Sequence, residues 1–185
     1  MRLKALVLLL TVLVASAVSA GERLVTFVHP KGFFSLDYPA DWEVAVRGDD
    51  SVSFKVAPKL ALGITLHPAD EREKLYRGAT IDEYIFWKIY NWITGPHSRY
   101  WHRLDRRDTV DASGVTADRL VFTHKYQDSV TGAWTPDRVE TIILIPWGTK
   151  FWMLYFEGYG EDVLRNRAAL DRLVGSFKVG PPPRD

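Results

Sequence analysis

The sequence predicts an α+β fold: one domain in which a mostly antiparallel β-sheet is sandwiched by helices, an α/β/α arrangement. Three observations carry this prediction. Short segments that alternate apolar and polar residues, bounded by Gly, Pro and Asp clusters, recur along the chain and read as strands joined in hairpins. Two amphipathic stretches, one in mid-chain and one near the end, read as helices. The run Thr141-Ile142-Ile143-Leu144-Ile145 is apolar on both faces, so its strand needs cover on both sides, and two helices would give it.

Taken in order, residues 1–20 read as a secretory signal peptide. Arg2 and Lys4 supply its positive start, Leu6–Val14 is an apolar run broken by Thr11, and Ala15-Ser16-Ala17 and Val18-Ser19-Ala20 offer two small-residue cleavage frames, the second favoured. The run falls short of the ~20 residues that span a bilayer, so cleavage after Ala20 and release of a soluble exported domain are expected. Leu24–His29 predicts a first strand closed by a Pro30-Lys31-Gly32 turn. Phe33–Tyr38 is its expected partner, with Phe34, Leu36 and Tyr38 on one face. Pro39 lacks a donor and ends it. After a turn at Gly48-Asp49-Asp50 come strands over Ser51–Val56 and Leu60–Leu66.

The first helix is expected from Thr80, where Thr80-Ile81-Asp82-Glu83 has the pattern of a capping box, and it stops at Gly95-Pro96. Further strands are expected over Val115–Tyr126, Arg138–Ile145 and Phe151–Phe156. The last helix spans Glu161–Val174, with Gly175 ending it and Phe177 tucking back onto the core. The domain is placed at 21–178, and residues 179–185, with Gly180-Pro181-Pro182-Pro183, read as a disordered or polyproline tail.

Composition excludes some classes. Without Arg2 and Lys4, 22 of the 24 basic residues remain against 23 acidic ones, a net charge of −1. A nucleic-acid binder needs a cationic surplus, so none is expected. With no cysteine there is no disulfide and no lipid-modified cysteine. The seven Trp, eight Tyr and nine Phe must hold the domain by packing alone.

Three segments resemble one family. Phe34-Ser35-Leu36-Asp37-Tyr38-Pro39-Ala40-Asp41-Trp42, Thr80-Ile81-Asp82-Glu83-Tyr84 and Leu170-Asp171-Arg172-Leu173-Val174-Gly175-Ser176-Phe177 are similar to the opening, middle helix and closing helix of the PsbP-like (Mog-type) domains. That family includes an extrinsic lumenal photosystem II subunit, a Ran-binding branch and many exported bacterial proteins. The resemblance implies an α/β/α sandwich that binds and assembles rather than catalyses. It transfers no metal, cofactor or partner residue to this chain.

Within the middle helix, a 100° spacing places Ile81, Ile85, Phe86, Ile89, Trp92 and Ile93 toward the core. It places Tyr84, Trp87 and Tyr90 on the other side with Glu83, Lys88 and Asn91. Aromatics on a solvent-facing side favour a contact surface, unless a loop such as 69–78 covers them. The segment that follows holds Arg99, Trp101, Arg103, Arg106 and Arg107. It could meet an anionic polymer, a lipid headgroup or an acidic partner, or be a strand edge whose arginines pair internally with Asp105, Asp108 and Asp111. These eight residues form the expected partner-binding surface, and an envelope or membrane-associated protein complex is the expected partner.

An alternative is a small-ligand or envelope-polymer binder with a pocket between sheet and helix, stacked by Trp42, Trp134, Trp147 and Trp152. The five histidines lack metal-site spacing, and no nucleophile elbow or phosphate loop is present, so no metal, cofactor or enzymatic activity is expected.

Overall fold

The computed structural model describes residues 23–57, 60–70, 72, 74–75, 78–94 and 100–182, with side chains left undescribed at 57 and 91–100. The expected signal peptide, Arg99 and the last three residues therefore lie outside the described part.

Strands β1 (Leu24–Val28) and β2 (Phe34–Pro39) form the first hairpin, closed where the Gly32 N–H donates to the His29 carbonyl at 2.7 Å. Next come β3 (Glu43–Val46), β4 (Ser51–Ala57) and β5 (Leu60–His67). Helix α1 (Ile81–Thr94) precedes the long strands β6 (Tyr100–Ala112) and β7 (Val115–Tyr126). β8 (Arg138–Trp147), β9 (Lys150–Tyr159), α2 (Gly160–Ser176) and the short β10 (Lys178–Val179) complete the chain.

All strand pairs are antiparallel. Seven strands form the main sheet in the order β3-β4-β5-β9-β8-β7-β6, and β1-β2-β10 form a small second sheet. The α+β sandwich is thus present, with one addition: the opening hairpin leaves the main sheet and joins α2 in covering it. Phe34 stacks on Phe177 with ring centroids 5.0 Å apart, and the Asp37 N–H donates to Ser176 Oγ at 2.8 Å.

The core has two halves, one on each face of the sheet. Under α2 and the small sheet lie Phe54, Leu62, Ile64, Ile143, Ile145, Trp152, Leu154, Phe156 and Phe177. Under α1 lie Tyr84, Ile85, Leu120, Phe122, Ile142, Leu144 and Phe151. The alternation of Ile142 and Leu144 with Ile143 and Ile145 explains why that strand is apolar on both faces.

Four details differ from the sequence reading. β3 pairs with β4 although Glu43–Val46, at four residues, is too short to show an alternation. The basic segment is the strand edge that its internal-pairing reading implies, β6, but its register with β7 shifts between Leu104 and Arg106. α2 runs through Gly175 to Ser176, whose hydroxyl donates to the Leu173 carbonyl at 3.0 Å. The start of the expected tail is docked: β10 pairs with β2, the Gly180 N–H donates to the Phe33 carbonyl at 2.7 Å, and Trp147 Nε1 donates to the Gly180 carbonyl at 2.8 Å. Only a glycine fits at 180, because a Cβ there would sit 2.2 Å from the Gly32 carbonyl oxygen.

Candidate functional site

α1 begins as its sequence dictates. The Glu83 N–H donates to Thr80 Oγ1 at 3.2 Å, while Glu83 Oε2 accepts from the backbone N–H groups of Ala79 and Thr80 at 2.6 and 3.1 Å. Those two backbone donors hold the Glu83 carboxyl below its usual range. Gly78 makes the approach possible. It has φ +86°, and a Cβ there would lie 2.2 Å from Glu83 Cβ.

The helix is rotated from the expected orientation. Ile81, Tyr84, Ile85, Lys88 and Ile89 face the sheet, the i, i+3, i+4, i+7, i+8 pattern of a buried stripe. Tyr84, expected among the partner-binding aromatics, is only 5% exposed. Its hydroxyl meets Met153 Sδ at 3.0 Å and its ring packs against His67 and Phe151, so the polar tip is accommodated inside. Phe86, expected in the core, is 60% exposed.

Lys88 sets this rotation. Its Nζ lies 2.8 Å from Oε1 of Glu140, a fully buried carboxylate of β8. Burial pushes the Glu140 carboxyl above its ordinary value, against the pull of the Lys88 charge. A polar network continues beside it on the same face. Glu157 accepts from His124 Nε2 at 3.3 Å, from Arg138 at 3.1 Å and from the Tyr155 hydroxyl. The His124 hydrogen bond does most to hold Glu157 down at about 2, with Tyr155 and Arg138 adding to it. Burial, with Glu140 and Glu157 alongside, drives the Tyr155 hydroxyl well above its usual value. His124 is thereby a packed, partnered histidine. Among the described residues no group of three or more His, Cys, Asp or Glu is placed to hold a metal ion.

With its inner stripe fixed, α1 presents Phe86, Trp87 and Tyr90 outward. They are 60%, 37% and 50% exposed. Their rings form a cluster, with centroids 5.7 Å apart for Phe86–Trp87, 5.8 Å for the stacked Phe86–Tyr90 pair and 6.1 Å for Trp87–Tyr90. Sequence reasoning found two of the three and missed Phe86. Its spacing four residues before Tyr90 was the available signal.

The arginines expected to extend this surface are divided between the two faces of β6. Trp101, Arg103 and Arg106 lie on the α2 face. Arg107, opposite Leu120, lies on the α1 face, because the register shift reverses the alternation. Arg103 pairs with Asp105, and Arg106 with Asp108 at 2.7 Å. Asp108 also takes two bonds from Arg119, at 2.8 and 2.6 Å, which hold its carboxyl below its ordinary range. Internal pairing thus accounts for much of this charge. Trp101 meets Arg103 at 5.5 Å and Lys125 at 5.0 Å from its ring centroid, and Lys125 also reaches Trp134 at 5.7 Å. Of the four tryptophans expected to line a ligand pocket, Trp42, Trp147 and Trp152 are buried core residues, and Trp134 alone is exposed.

No protein-family model matches the sequence, and no curated protein matches it either. Solved structures do match. Cyanobacterial PsbP from Synechocystis superposes with a TM-score of 0.59 at 15% identity, over 90% of this chain and 99% of that one. The Ran-binding protein Mog1p of Saccharomyces cerevisiae gives 0.55 at 10% identity, over 86% and 97%. A Pseudomonas aeruginosa protein of unknown function gives 0.51 at 14% identity, over 88% and 99%. At these identities the likeness speaks for the fold, and the chain has the PsbP/Mog1-like fold.

Proposed function

We propose that this protein is an exported, non-catalytic binding domain, an accessory or assembly factor for a cell-envelope or membrane protein complex, which it contacts through the outer side of α1. One observation carries the reading: three aromatic rings cluster in solvent on a helix whose other side is fixed by the Lys88–Glu140 pair. Large rings held at an exposed surface lose little freedom on binding and bury much area, and Trp and Tyr dominate interface energetics. Glu157 and Tyr155, the groups whose titration is most displaced, sit with the raised Glu140 in one network on the sheet and serve each other. No described helix is long and apolar enough to cross a membrane.

Site-specific photocrosslinking in intact cells tests this reading. A crosslinker at Phe86 should yield one recurrent membrane-complex subunit. The adduct should be absent with the crosslinker at Leu164 and lost in Trp87→Ala/Tyr90→Ala. Anchors of this kind contribute about 2 kcal/mol or more each, so the double variant should weaken binding by several hundredfold, about 4 kcal/mol, with an unchanged melting temperature. Equal adducts from both positions, or undiminished binding by a folded double variant, would remove the assignment.

A further inference from the structure

On the opposite face of the sheet from the aromatic cluster, a cavity of about 450 Å3 opens between α2 and strands β6–β9. It lies within the ~300–1,000 Å3 range of small-molecule sites. Its origin is local. The second half of α2 reaches the sheet through Ala169, Leu170, Leu173 and Val174, all buried, and Leu170 and Val174 close that end of the cavity. The first half meets small or short side chains on the sheet, Val121, Val139 and Thr141, and begins at Gly160, so the gap is left unfilled. Val163 and Leu164 of α2 overhang it, and Leu164 is 68% exposed, an apolar lip with nothing described over it. Ile143 and Phe156 form the floor.

The mouth is charged. Arg106, Arg119 and Arg167 line it with Asp105 and Asp171. Asp105 is occupied by Arg103 and the Thr123 hydroxyl, and Asp108, just outside, by Arg119 and Arg106. Arg167 meets Asp171 only at 3.7 Å, with both side chains well exposed. Four guanidinium groups thus face three carboxylates, an excess of one positive charge beside an apolar slot.

We propose that this cavity binds a single-chain amphiphile with one anionic head group. The alkyl chain lies beneath Val163 and Leu164, and the carboxylate or phosphate sits at Arg167 and Arg106. Apolar walls supply the affinity and the surplus guanidinium selects the head group. This site is separate from the α1 surface, and either can fail without the other.

Methyl-resolved NMR of the full protein, titrated with dodecanoate, dodecyl phosphate and the neutral dodecan-1-ol below their aggregation limits, tests it. Both anions should shift the methyl signals of Val121, Val139, Ile143 and Val163 saturably, with the alcohol about tenfold weaker or worse. Arg167→Glu should weaken the anions by about tenfold and leave the alcohol unchanged, one ion pair's share of the affinity. Thr141→Trp should fill the slot and abolish binding. If it does not fold, Leu164→Asp on the exposed lip should weaken all three ligands. Tighter binding of dodecanoate points to a free fatty acid, and tighter binding of dodecyl phosphate to a phospholipid-derived chain. The proposal is overturned by equal affinity for the alcohol, by shifts confined to α1, or by binding that survives in folded Thr141→Trp.

Discussion

Replacing Lys88 by Met separates the ion pair from the packing of α1. Methionine keeps the length and flexibility of the lysine stem, so the apolar contact of that stem persists while Glu140 loses its partner. Glu140 is fully buried and Oε2 makes no hydrogen bond, so Lys88 Nζ at 2.8 Å is its main compensation. Breaking such a pair costs about 3–5 kcal/mol, a large share of a total stability of ~5–15 kcal/mol. The cost depends on pH. The folded-state pKa of Glu140 is already raised by burial, and removing Lys88 raises it further. Between the unfolded value of 4.5 and that raised value the folded protein binds more protons than the unfolded chain. Stability of the variant should therefore climb as pH falls, levelling off below about 4.5. Urea denaturation at pH 8 and pH 5.5 measures this. The full penalty should appear at pH 8 and shrink at pH 5.5, while Lys88→Met/Glu140→Leu should fall within ~1 kcal/mol of the parent or exceed it. A single variant that loses less than ~1 kcal/mol at pH 8, or whose loss ignores pH, would refute the role given to this pair.

Other consequences can be checked in the same way. Gly78→Ala combines an unfavourable φ of +86° with a Cβ 2.2 Å from that of Glu83, and should cost about 1–3 kcal/mol, with early hydrogen exchange at the start of α1. Glu157, held at about 2 against an ordinary 4.5, contributes stability above pH 4.5 that is lost as pH falls toward 2; in Glu157→Gln that acid-side loss should be smaller by on the order of 3 kcal/mol, measured by denaturation across this window. Phe177→Ala empties a fully buried site stacked on Phe34 and should cost ~3–5 kcal/mol in chemical denaturation, undocking β10 from β2.

Much of the fold is legible in the sequence because its strands have one face to bury. The alternation over Phe34–Tyr38, Val52–Val56 and Leu60–Leu66 fixes both strand and face, and the Thr80–Glu83 box fixes where α1 begins. What escaped depends on partners distant in sequence. The Ile81–Ile93 stretch is apolar over so much of its circumference that hydrophobicity alone cannot choose between Tyr84 and Phe86 as the inward ring. Glu140, 52 residues from Lys88, makes that choice. β6 carries four consecutive charged residues, Asp105–Asp108, in its middle, so no apolar stripe runs through it to mark its faces. The divided fate of Arg106 and Arg107 depends on the register shift at Asp105, which no periodicity announces.

That register shift also bears on what this protein can do with its neighbours. A 13-residue strand at the border of a sheet offers a row of unsatisfied backbone groups, an open invitation to another chain. Here the row is interrupted near its middle and carries Arg103, Asp105, Arg106 and Asp108, so a second strand cannot lie flat along it. At the far border, β3 is four residues long and gives little purchase. Both borders of the main sheet are thus poor templates for edge-to-edge pairing with another strand.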